Sequence, residues 1–330
     1  MQDSSLTVKP GALEQRLEQH RSELNAYCYR MLGSPFEAED AVQDTFVRAW
    51  RSFDRFEGRA AIRSWPYRIA TNVCFDMLNG RERRARPMDL GPAWNPDGPI
   101  GRTLPEVTWI EPAPDGLVVP ADGDPAEVAV SRETIRLAFV AALQHLPPRQ
   151  RAVLILCEVL RWKATEVAEL LDTTVASVNR ALQRARATLE ASDVSSTGPT
   201  PTMDESQREL LKRYVEAFER YDMDALTSLI QEDATQSMPP YELWLSGREN
   251  ILRWWVGPGA GCRGSRVVPT VAANGSPAFG QYKPGVSGSG YDPWALQVLE
   301  IADGRIVELT FFLDTERVFP LFGLPARLES

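Results

Sequence analysis

The stretch TEVAELLDTTVASVNRALQRAR, residues 165–186, has the pattern of two short helices joined by a turn. Apolar residues at positions 167, 168, 170 and 171 follow the spacing of one helix face, and Asp172–Thr173 interrupts that spacing before a second apolar set begins. Thr174 stands where a helix N-cap residue is expected. The stretch therefore predicts a helix-turn-helix.

The second helix of this pair carries its polar side chains away from the apolar stripe. They are short polar residues and amides followed by arginines: Ser177, Asn179, Arg180, Gln183, Arg184 and Arg186. A recognition helix needs this arrangement, because amides and arginines reach base edges and phosphates in the major groove. An amphipathic surface helix with three arginines is the alternative interpretation.

The charge of the chain is unevenly distributed. The 330 residues have a net charge of −9 and an isoelectric point near 5.0. Between Pro87 and Val130 there is one basic residue, Arg102, against eight acidic ones, and the same segment is crowded with proline and glycine. We expect an acidic linker here, extended or irregular when alone, between segments suited to nucleic acid.

The length predicts two or three domains. A second run of small polar residues and prolines spans Ala191–Ser206. The expected divisions are a helical block at 1–86, the acidic linker at 87–130, a second helical block at 131–192, a short linker at 193–203 and a C-terminal domain at 204–330.

Several classes of protein are disfavoured by composition. No apolar run approaches the roughly 20 residues that span a bilayer, and the polar N-terminus lacks a signal-peptide core, so a cytoplasmic protein without membrane partners is expected. The four cysteines are scattered without a CxxC pair, which predicts free thiols rather than a zinc or disulfide site.

The first helical block contains two unusual clusters within Met31–Arg84. Acidic residues at positions 37, 39, 40 and 44 crowd one predicted helix beside Phe46 and Trp50. A following loop and helix interleave aromatic and basic residues: Phe53, Phe56, Trp65 and Tyr67 with Arg55, Arg59, Arg63 and Arg68. Arginine holds phosphate and aromatic rings stack on unpaired bases, so this cluster suits a single strand.

In the second block, a helix is predicted from an N-cap at Ser131 through the apolar positions 135–143, ending before Pro147–Pro148. A further helix is expected from Arg149 to about Leu160.

These motifs resemble those of a known family. AEDAVQDTFVRAW and SWPYRIATNVCFD look like region 2, and LPPRQRAVLILCEVLRWKATEVAELLDTTVASVNRALQRARATL looks like region 4, of bacterial sigma-70-family factors of the extracytoplasmic-function (ECF) group. One departure is Asp172, where these factors usually place glycine in the turn.

The resemblance implies a role for each matching residue. Docking on the β′ clamp helices of core RNA polymerase would fall to Asp40, Val42, Gln43, Asp44, Phe46 and Trp50. Opening and reading of the minus-ten promoter element would fall to Phe56, Arg59, Arg63, Ser64, Trp65, Asn72 and Asp76. A core position is the alternative for Trp65 and Tyr67, and for Trp65 the core and a wedge against the DNA strand are weighted equally.

Region 4 would read the minus-thirty-five element and meet the polymerase β flap. The implied DNA contacts are Lys163, Thr165, Thr174, Ser177, Asn179, Arg180, Gln183 and Arg184, with Arg149 near a phosphate. The acidic linker would thread through polymerase toward the RNA exit path; an inert spacer is the alternative.

The C-terminal segment predicts helices over Glu205–Tyr221 and Met223–Ile230, a short strand, a tryptophan-rich helix, and strands that include a hairpin turning at Asp303–Gly304. This α+β order resembles the SnoaL-like domains of the nuclear transport factor 2-like superfamily, with a cone-shaped sheet around a pocket. Aromatic residues that suit such a pocket, or a plain core, are Tyr241, Trp244, Trp254, Trp255, Tyr282, Trp294 and Phe311.

The expected protein is thus multidomain, with two all-α sigma domains and an α+β SnoaL-like domain. The expected function is that of an ECF sigma factor that binds core RNA polymerase and promoter DNA, with the C-terminal domain regulating it in cis. Catalysis is disfavoured, because both histidines lie outside that domain and Asp233, Glu242, Asp292 and Asp314 form no convincing acid/base pair. A bifunctional protein with an enzymatic or ligand-sensing domain is the alternative. No cofactor is expected; a small-molecule ligand and an anti-sigma partner remain open.

Overall fold

The computed structural model describes residue 15 and residues 17–52, 64–119, 130–191, 204–285 and 289–329. The chain forms two units of packed structure. The first holds the described residues of Met1–Arg83 and Gly116–Val194, and the second holds those of Arg84–Asp115 and Ser195–Ser330. The acidic linker is therefore divided, and most of its described residues belong with the C-terminal domain.

The first unit is helical. Its helices are α1 (Arg21–Leu32), α2 (Pro35–Ser52), α3 (Ser64–Leu78), α4 (Leu137–Gln144), α5 (Pro148–Leu154), α6 (Ala164–Leu170) and α7 (Val175–Ala191). Helix α1 is buried along most of its length and packs on α2, α3, α4 and α5. Both helical blocks therefore share one core.

The start of the second block differs from the sequence prediction. Residues 130–133 are helical and Ser131 lies inside that helix rather than at its N-cap. The helix is interrupted at Thr134–Arg136, and α4 starts afresh at Leu137. The buried Arg30 explains the interruption, because its guanidinium donates to Thr134 Oγ1 at 2.8 Å and to the Ser131 carbonyl at 3.3 Å. Helix α5 begins at Pro148, one residue before the predicted start, and continues as a π-helical turn over Ile155–Val159.

The C-terminal domain is α+β, as predicted. Its helices are α8 (Glu205–Arg220), α9 (Met223–Leu229), α10 (Arg248–Val256) and α11 (Thr315–Leu321). Its strands are β1 (Ile230–Ser237), β2 (Trp244–Ser246), β3 (Arg266–Pro269), β4 (Ala278–Pro284), β5 (Tyr291–Ala302) and β6 (Arg305–Phe312), in the sheet order β2-β1-β6-β5-β4-β3.

Pairing within this sheet is antiparallel except between β1 and β6, which are parallel. Asp303 and Gly304 both have positive φ (49° and 69°), which confirms the predicted tight hairpin between β5 and β6. Register shifts interrupt the β1–β6, β4–β5 and β5–β6 ladders. Such irregularities bend strands, and here they accompany a core of Tyr214, Trp254 and Trp255 between helices and sheet.

No helix in the described ranges is both long enough and apolar enough to cross a membrane.

Candidate functional site

Helix α7 presents the predicted recognition face to solvent. Val178, Ala181 and Ala185 are buried on one side of the helix. The opposite side exposes Asn179, Arg180, Gln183 and Arg184, while Ser177 is half-buried. Val175, which the pattern places inward, is 39% exposed because it lies at the first turn of the helix. The polar side chains of this face are therefore exposed to solvent.

The turn before α7 has the geometry that the sequence predicts. Asp172 has φ +50°, the left-handed conformation that glycine or a short polar residue provides. Thr174 Oγ1 accepts a hydrogen bond from the Ser177 amide at 3.2 Å and caps the helix. Lys163 and Thr165, at the start of α6, are exposed, as is Arg149.

Arg186 differs from the other two arginines of α7. Its guanidinium forms an ion pair with Glu158, at the end of the π-helical turn. That contact satisfies its charge within the protein, whereas the described structure gives Arg184 no ion pair. The outward charge of α7 therefore lies mainly at Arg180 and Arg184.

Helix α2 exposes a stripe of acidic, amide and apolar side chains. Its members are Asp40, Gln43, Asp44, Val47 and Trp50, and the Trp50 side chain is 66% exposed. An exposed tryptophan on a polar rim is typical of a protein-binding anchor. Val47 is not among the polymerase contacts that the sequence predicted, and the structure adds it to the exposed stripe.

Two of the predicted polymerase contacts lie elsewhere. Val42 is fully buried beneath the α2 face, so in this conformation it supports the face rather than touching a partner. Phe46 is half-buried and packs near Leu17 and Ala49, with the Arg21 guanidinium 4.9 Å from its ring centroid.

The predicted minus-ten residues divide into described and undescribed ones. Phe56, Arg59 and Arg63 fall outside the described residues. Asn72 and Asp76 are exposed on α3, and Ser64 is half-buried at its first residue. Trp65 is half-buried and packs against the cluster of Leu17 and Ala49. One part of its side chain is thus in the core and another part is exposed, so the structure combines the two alternatives that the sequence left open.

Arg48 links the two predicted surfaces. It donates to Asp76 Oδ2 at 2.9 Å and to Asp44 Oδ2 at 3.2 Å. The hydrogen bond that Arg48 donates to the Asp76 carboxylate is the main cause of the raised pKa of Arg48. The sequence does not reveal this residue's role, because Arg48 and Asp76 lie 28 positions apart in the chain.

Helix α3 and the helix-turn-helix are packed together within the first unit. Tyr67 is buried on α3, and its ring lies edge-on to that of Trp162, with centroids 5.1 Å apart. Tyr67 is therefore a core residue. Helix α6 also packs on α3, which carries Asn72 and Asp76. The surfaces predicted for the two promoter elements are thus held on one helical body.

Arg151 joins the two blocks from the interior. It donates to the Met31 carbonyl of α1, to Gln144 Oε1 at 2.6 Å and to the Leu146 carbonyl at 3.1 Å. Burial without an acidic partner lowers the pKa of Arg151 to about 10. No local sequence pattern indicates that this arginine is buried, since it lies two positions from the exposed Arg149.

The linker residues Gly91–Arg102 form a loop on the C-terminal domain, called here the linker loop. Its Trp94 amide donates to the Trp244 carbonyl at 2.7 Å, and the Trp244 indole donates to the Gly91 carbonyl at 2.9 Å. Arg102 contacts both carboxylate oxygens of Glu242, at 2.9 and 3.2 Å.

The next part of the linker is held by hydrogen bonds and an ion pair. Asn274 accepts from the Ala113 amide through Oδ1 at 2.8 Å and donates its own amide to the Ala113 carbonyl at 3.0 Å. Asp115 Oδ1 accepts from the Gly275 amide at 2.7 Å. Glu111 forms an ion pair with Arg317 of α11 at 2.9 Å. The described residues 87–119 of the acidic linker are loop with short helical turns at Pro87–Asp89, Glu106–Thr108 and Asp115–Val118, and those up to Asp115 belong with the C-terminal domain.

The linker also closes on itself. Ala85 donates its amide to the Thr108 carbonyl at 2.7 Å and accepts from the Ile110 amide at 3.2 Å. These bonds bring residues 85 and 109 side by side, so the chain between them adds nothing to the linker's reach.

The C-terminal domain contains an apolar cavity of about 150 Å³ between helices and sheet. Four of the seven predicted pocket aromatics line it, namely Trp254, Trp255, Trp294 and Phe311, together with Ile100 of the linker loop. Gln236 and Lys283 supply polar groups, and no Asp, Glu or His is among the lining residues.

The other three predicted aromatics lie outside this cavity. Tyr282 packs edge-on to Phe319 and donates its hydroxyl to the Pro325 carbonyl at 2.8 Å. Tyr241 and Trp244 lie where the linker contacts the domain, which a local pattern does not reveal. The candidate carboxylates are also outside: Glu242 and Asp292 pair with arginines, Asp314 lies 3.7 Å from Arg317, and Asp233 is exposed.

Three family models match the chain in succession. Residues 17–84 match Sigma-70 region 2, residues 136–189 match Sigma-70, region 4, and residues 211–309 match the SnoaL-like domain.

Relatives extend over nearly the whole chain. "ECF RNA polymerase sigma factor SigG" of Mycobacterium tuberculosis is 43% identical over 322 residues, 96% of this chain and 85% of the relative. "ECF RNA polymerase sigma factor SigJ" of the same organism is 27% identical over 303 residues, 88% of each chain. The crystal structure of SigJ matches with a TM-score of 0.59 at 21% identity, covering 95% of this chain and 99% of that one, and supports the fold.

Proposed function

This chain belongs to the ECF RNA polymerase sigma factors. From that premise we propose that its C-terminal domain controls the sigma activity in cis, by binding the linker that connects the two helical blocks. The observation that carries the proposal is the docking of Arg84–Asp115 on the C-terminal domain.

The sigma blocks supply the two activities expected of such a factor. We assign polymerase docking to the stripe Asp40, Gln43, Asp44, Val47 and Trp50 of α2, which is acidic at one end and apolar at the other and suits a basic partner surface. Promoter reading falls to α3 with the preceding arginines and to the exposed face of α7. Phosphate contacts fall to Lys163 and Arg149, and base contacts to residues such as Arg180.

The packed arrangement of the first unit is a closed state. Promoter elements centred 25 positions apart are separated by about 85 Å of B-DNA, at 3.4 Å per base pair. Helices α3 and α6, which pack against each other, do not span that distance. The two helical blocks must therefore separate when polymerase and promoter bind.

The linker sets how far the blocks separate. Fully extended, residues 84–130 reach about 155 Å. With 84–115 held on the C-terminal domain and residues 85 and 109 side by side, the reach falls to about 75 Å. This reach is shorter than the separation of about 85 Å between the promoter elements, so a docked linker is too short to follow a path through polymerase. Docking of the linker consequently favours the closed state, and its release favours the state that binds promoter.

We assign regulation rather than catalysis to the C-terminal domain. Acid/base catalysis needs a titratable pair at the reacting atoms. The cavity lining has no carboxylate or imidazole, and its titratable side chains are limited to Tyr221, Cys262 and Lys283. In the core of the domain, outside the cavity lining, the Tyr214 hydroxyl donates to Gln297 Oε1 and the Gln297 amide donates to Gln281 Oε1, at 2.9 Å in both cases.

Reconstituted transcription tests the proposal. The full chain and a chain ending at residue 203 are each combined with core RNA polymerase, and run-off transcript is measured from a promoter selected with the full chain. We expect both to initiate and the shorter chain to yield more transcript. Absence of polymerase-dependent initiation by either would contradict the sigma function; equal yields would contradict regulation in cis.

A further inference from the structure

The cavity of the C-terminal domain has the size of a single-ring ligand. Its volume is about 150 Å³, and its walls include Trp254, Trp255, Phe218 and Phe311. An apolar protein cavity of about 150 Å³ binds benzene, so one six-membered ring fits such a space.

A hydrogen-bond donor faces this space from strand β1. The Trp255 indole donates to Gln236 Oε1 at 2.8 Å, and because an indole only donates, this bond fixes which end of the amide is oxygen. Gln236 is 1% exposed, and within the described structure its amide NH₂ has no acceptor. A ring substituent that accepts a hydrogen bond meets a donor here.

Lys283, a cation without an acidic partner in the described structure, lines the same cavity. The Lys283 ammonium lies 3.1 Å from the centroid of the Trp294 ring. Partial burial lowers its pKa. Across the described part of the chain no carboxylate pairs with it, since its cross-strand neighbour Asp292 pairs with Arg327 at 3.4 Å. A half-buried cation beside an apolar space favours an anionic ligand.

We propose that this cavity binds a small aromatic carboxylate, with the ring between Trp254, Trp255 and Phe311 and the carboxylate on the Lys283 ammonium, beneath Ile100 of the docked linker loop.

The position of Ile100 couples this ligand to the linker. Ile100 lines the cavity only while the linker loop is docked, so a ligand that contacts it binds the docked state more tightly. By linkage, the ligand and the docked linker stabilise each other. This step rests on the proposed function; it makes the ligand a corepressor of the sigma activity.

The experiment is calorimetric titration of the full chain with benzoate and with benzamide, its neutral analogue of similar shape. Three variants accompany the wild type: Lys283→Met, Lys283→Arg and Ile100→Ala. We expect Lys283→Met to weaken benzoate binding about 10-fold or more, with benzamide changed less than about twofold. Lys283→Arg should restore the preference for benzoate, and Ile100→Ala should weaken both probes by a similar factor.

Three results would overturn the proposal: no binding of benzoate at millimolar concentration, equal losses for both probes in Lys283→Met, or unchanged affinities in Ile100→Ala. Thermal unfolding of each variant checks that it is folded. The titration contains neither polymerase nor DNA, so its failure leaves the transcription test standing. Binding of benzoate without any effect on transcription contradicts the control function alone.

Discussion

Arg151 shows at the scale of one residue how the two helical blocks are joined. Its guanidinium is enclosed by carbonyl and amide oxygens from both helical blocks rather than by carboxylates. Those oxygens are buried, and they lose their donors if the guanidinium is removed. The residue therefore contributes both stability and the contact between blocks.

We predict that Arg151→Ala lowers the free energy of unfolding by about 3 kcal/mol, because it leaves several buried acceptors unpaired. Urea unfolding followed by circular dichroism measures the change. Arg149→Ala is the matched control, since Arg149 is exposed on the same helix, and it should change stability by less than about 0.5 kcal/mol. Equal effects of the two variants would contradict a stabilising role for Arg151 between the two helical blocks.

At the scale of elements, helix α7 buries one face in the protein core and exposes the opposite face, which carries Arg180 and Arg184. We predict that Arg180→Ala weakens promoter binding by the polymerase complex about 10-fold, the cost of one base contact, without changing the unfolding temperature. Gel-shift titration on promoters with intact and scrambled minus-thirty-five elements measures it. Arg186→Ala, whose arginine already pairs with Glu158, serves as control. A loss as large on the scrambled promoter would argue against base reading by Arg180.

The elements with a strong local period were predictable from sequence. The helix-turn-helix, its cap at Thr174, helices α8 and α9 and the Asp303–Gly304 hairpin follow the patterns that indicate them. Strand β1 was missed because its residues, IQEDATQS, are mostly polar and its parallel partner β6 lies about 75 residues later. Helix α11 is a single short segment with an internal proline, and it was missed as well.

The candidate site was predictable only in part, for a related reason. Exposed residues on α2 and α7 lie on faces that helical spacing defines. Only four of the seven predicted aromatic residues line the cavity, because local pattern does not distinguish a lining residue such as Trp254 from Trp244, which lies outside it. The docking of the linker depends on pairs such as Arg102 and Glu242, 140 residues apart, and no single-sequence period encodes such a pair.

At the scale of the whole molecule, the acidic linker explains why an acidic chain carries a DNA-reading helix. Among the described acidic residues of the linker, Asp97 pairs with Arg253 and Glu111 with Arg317 of the C-terminal domain. In the proposed mechanism, these acidic residues help to hold the linker that connects the two helical blocks.

The most direct test of this account exchanges the charges of one linker contact. Run-off transcription with core RNA polymerase is measured for the wild type, Arg102→Glu, Glu242→Arg and the double variant that carries both changes. Each single variant places like charges opposite each other and should release the linker, so transcript should rise; the double variant restores the pair and should return to the wild-type level. Equal transcript from all four proteins would contradict control through the docked linker.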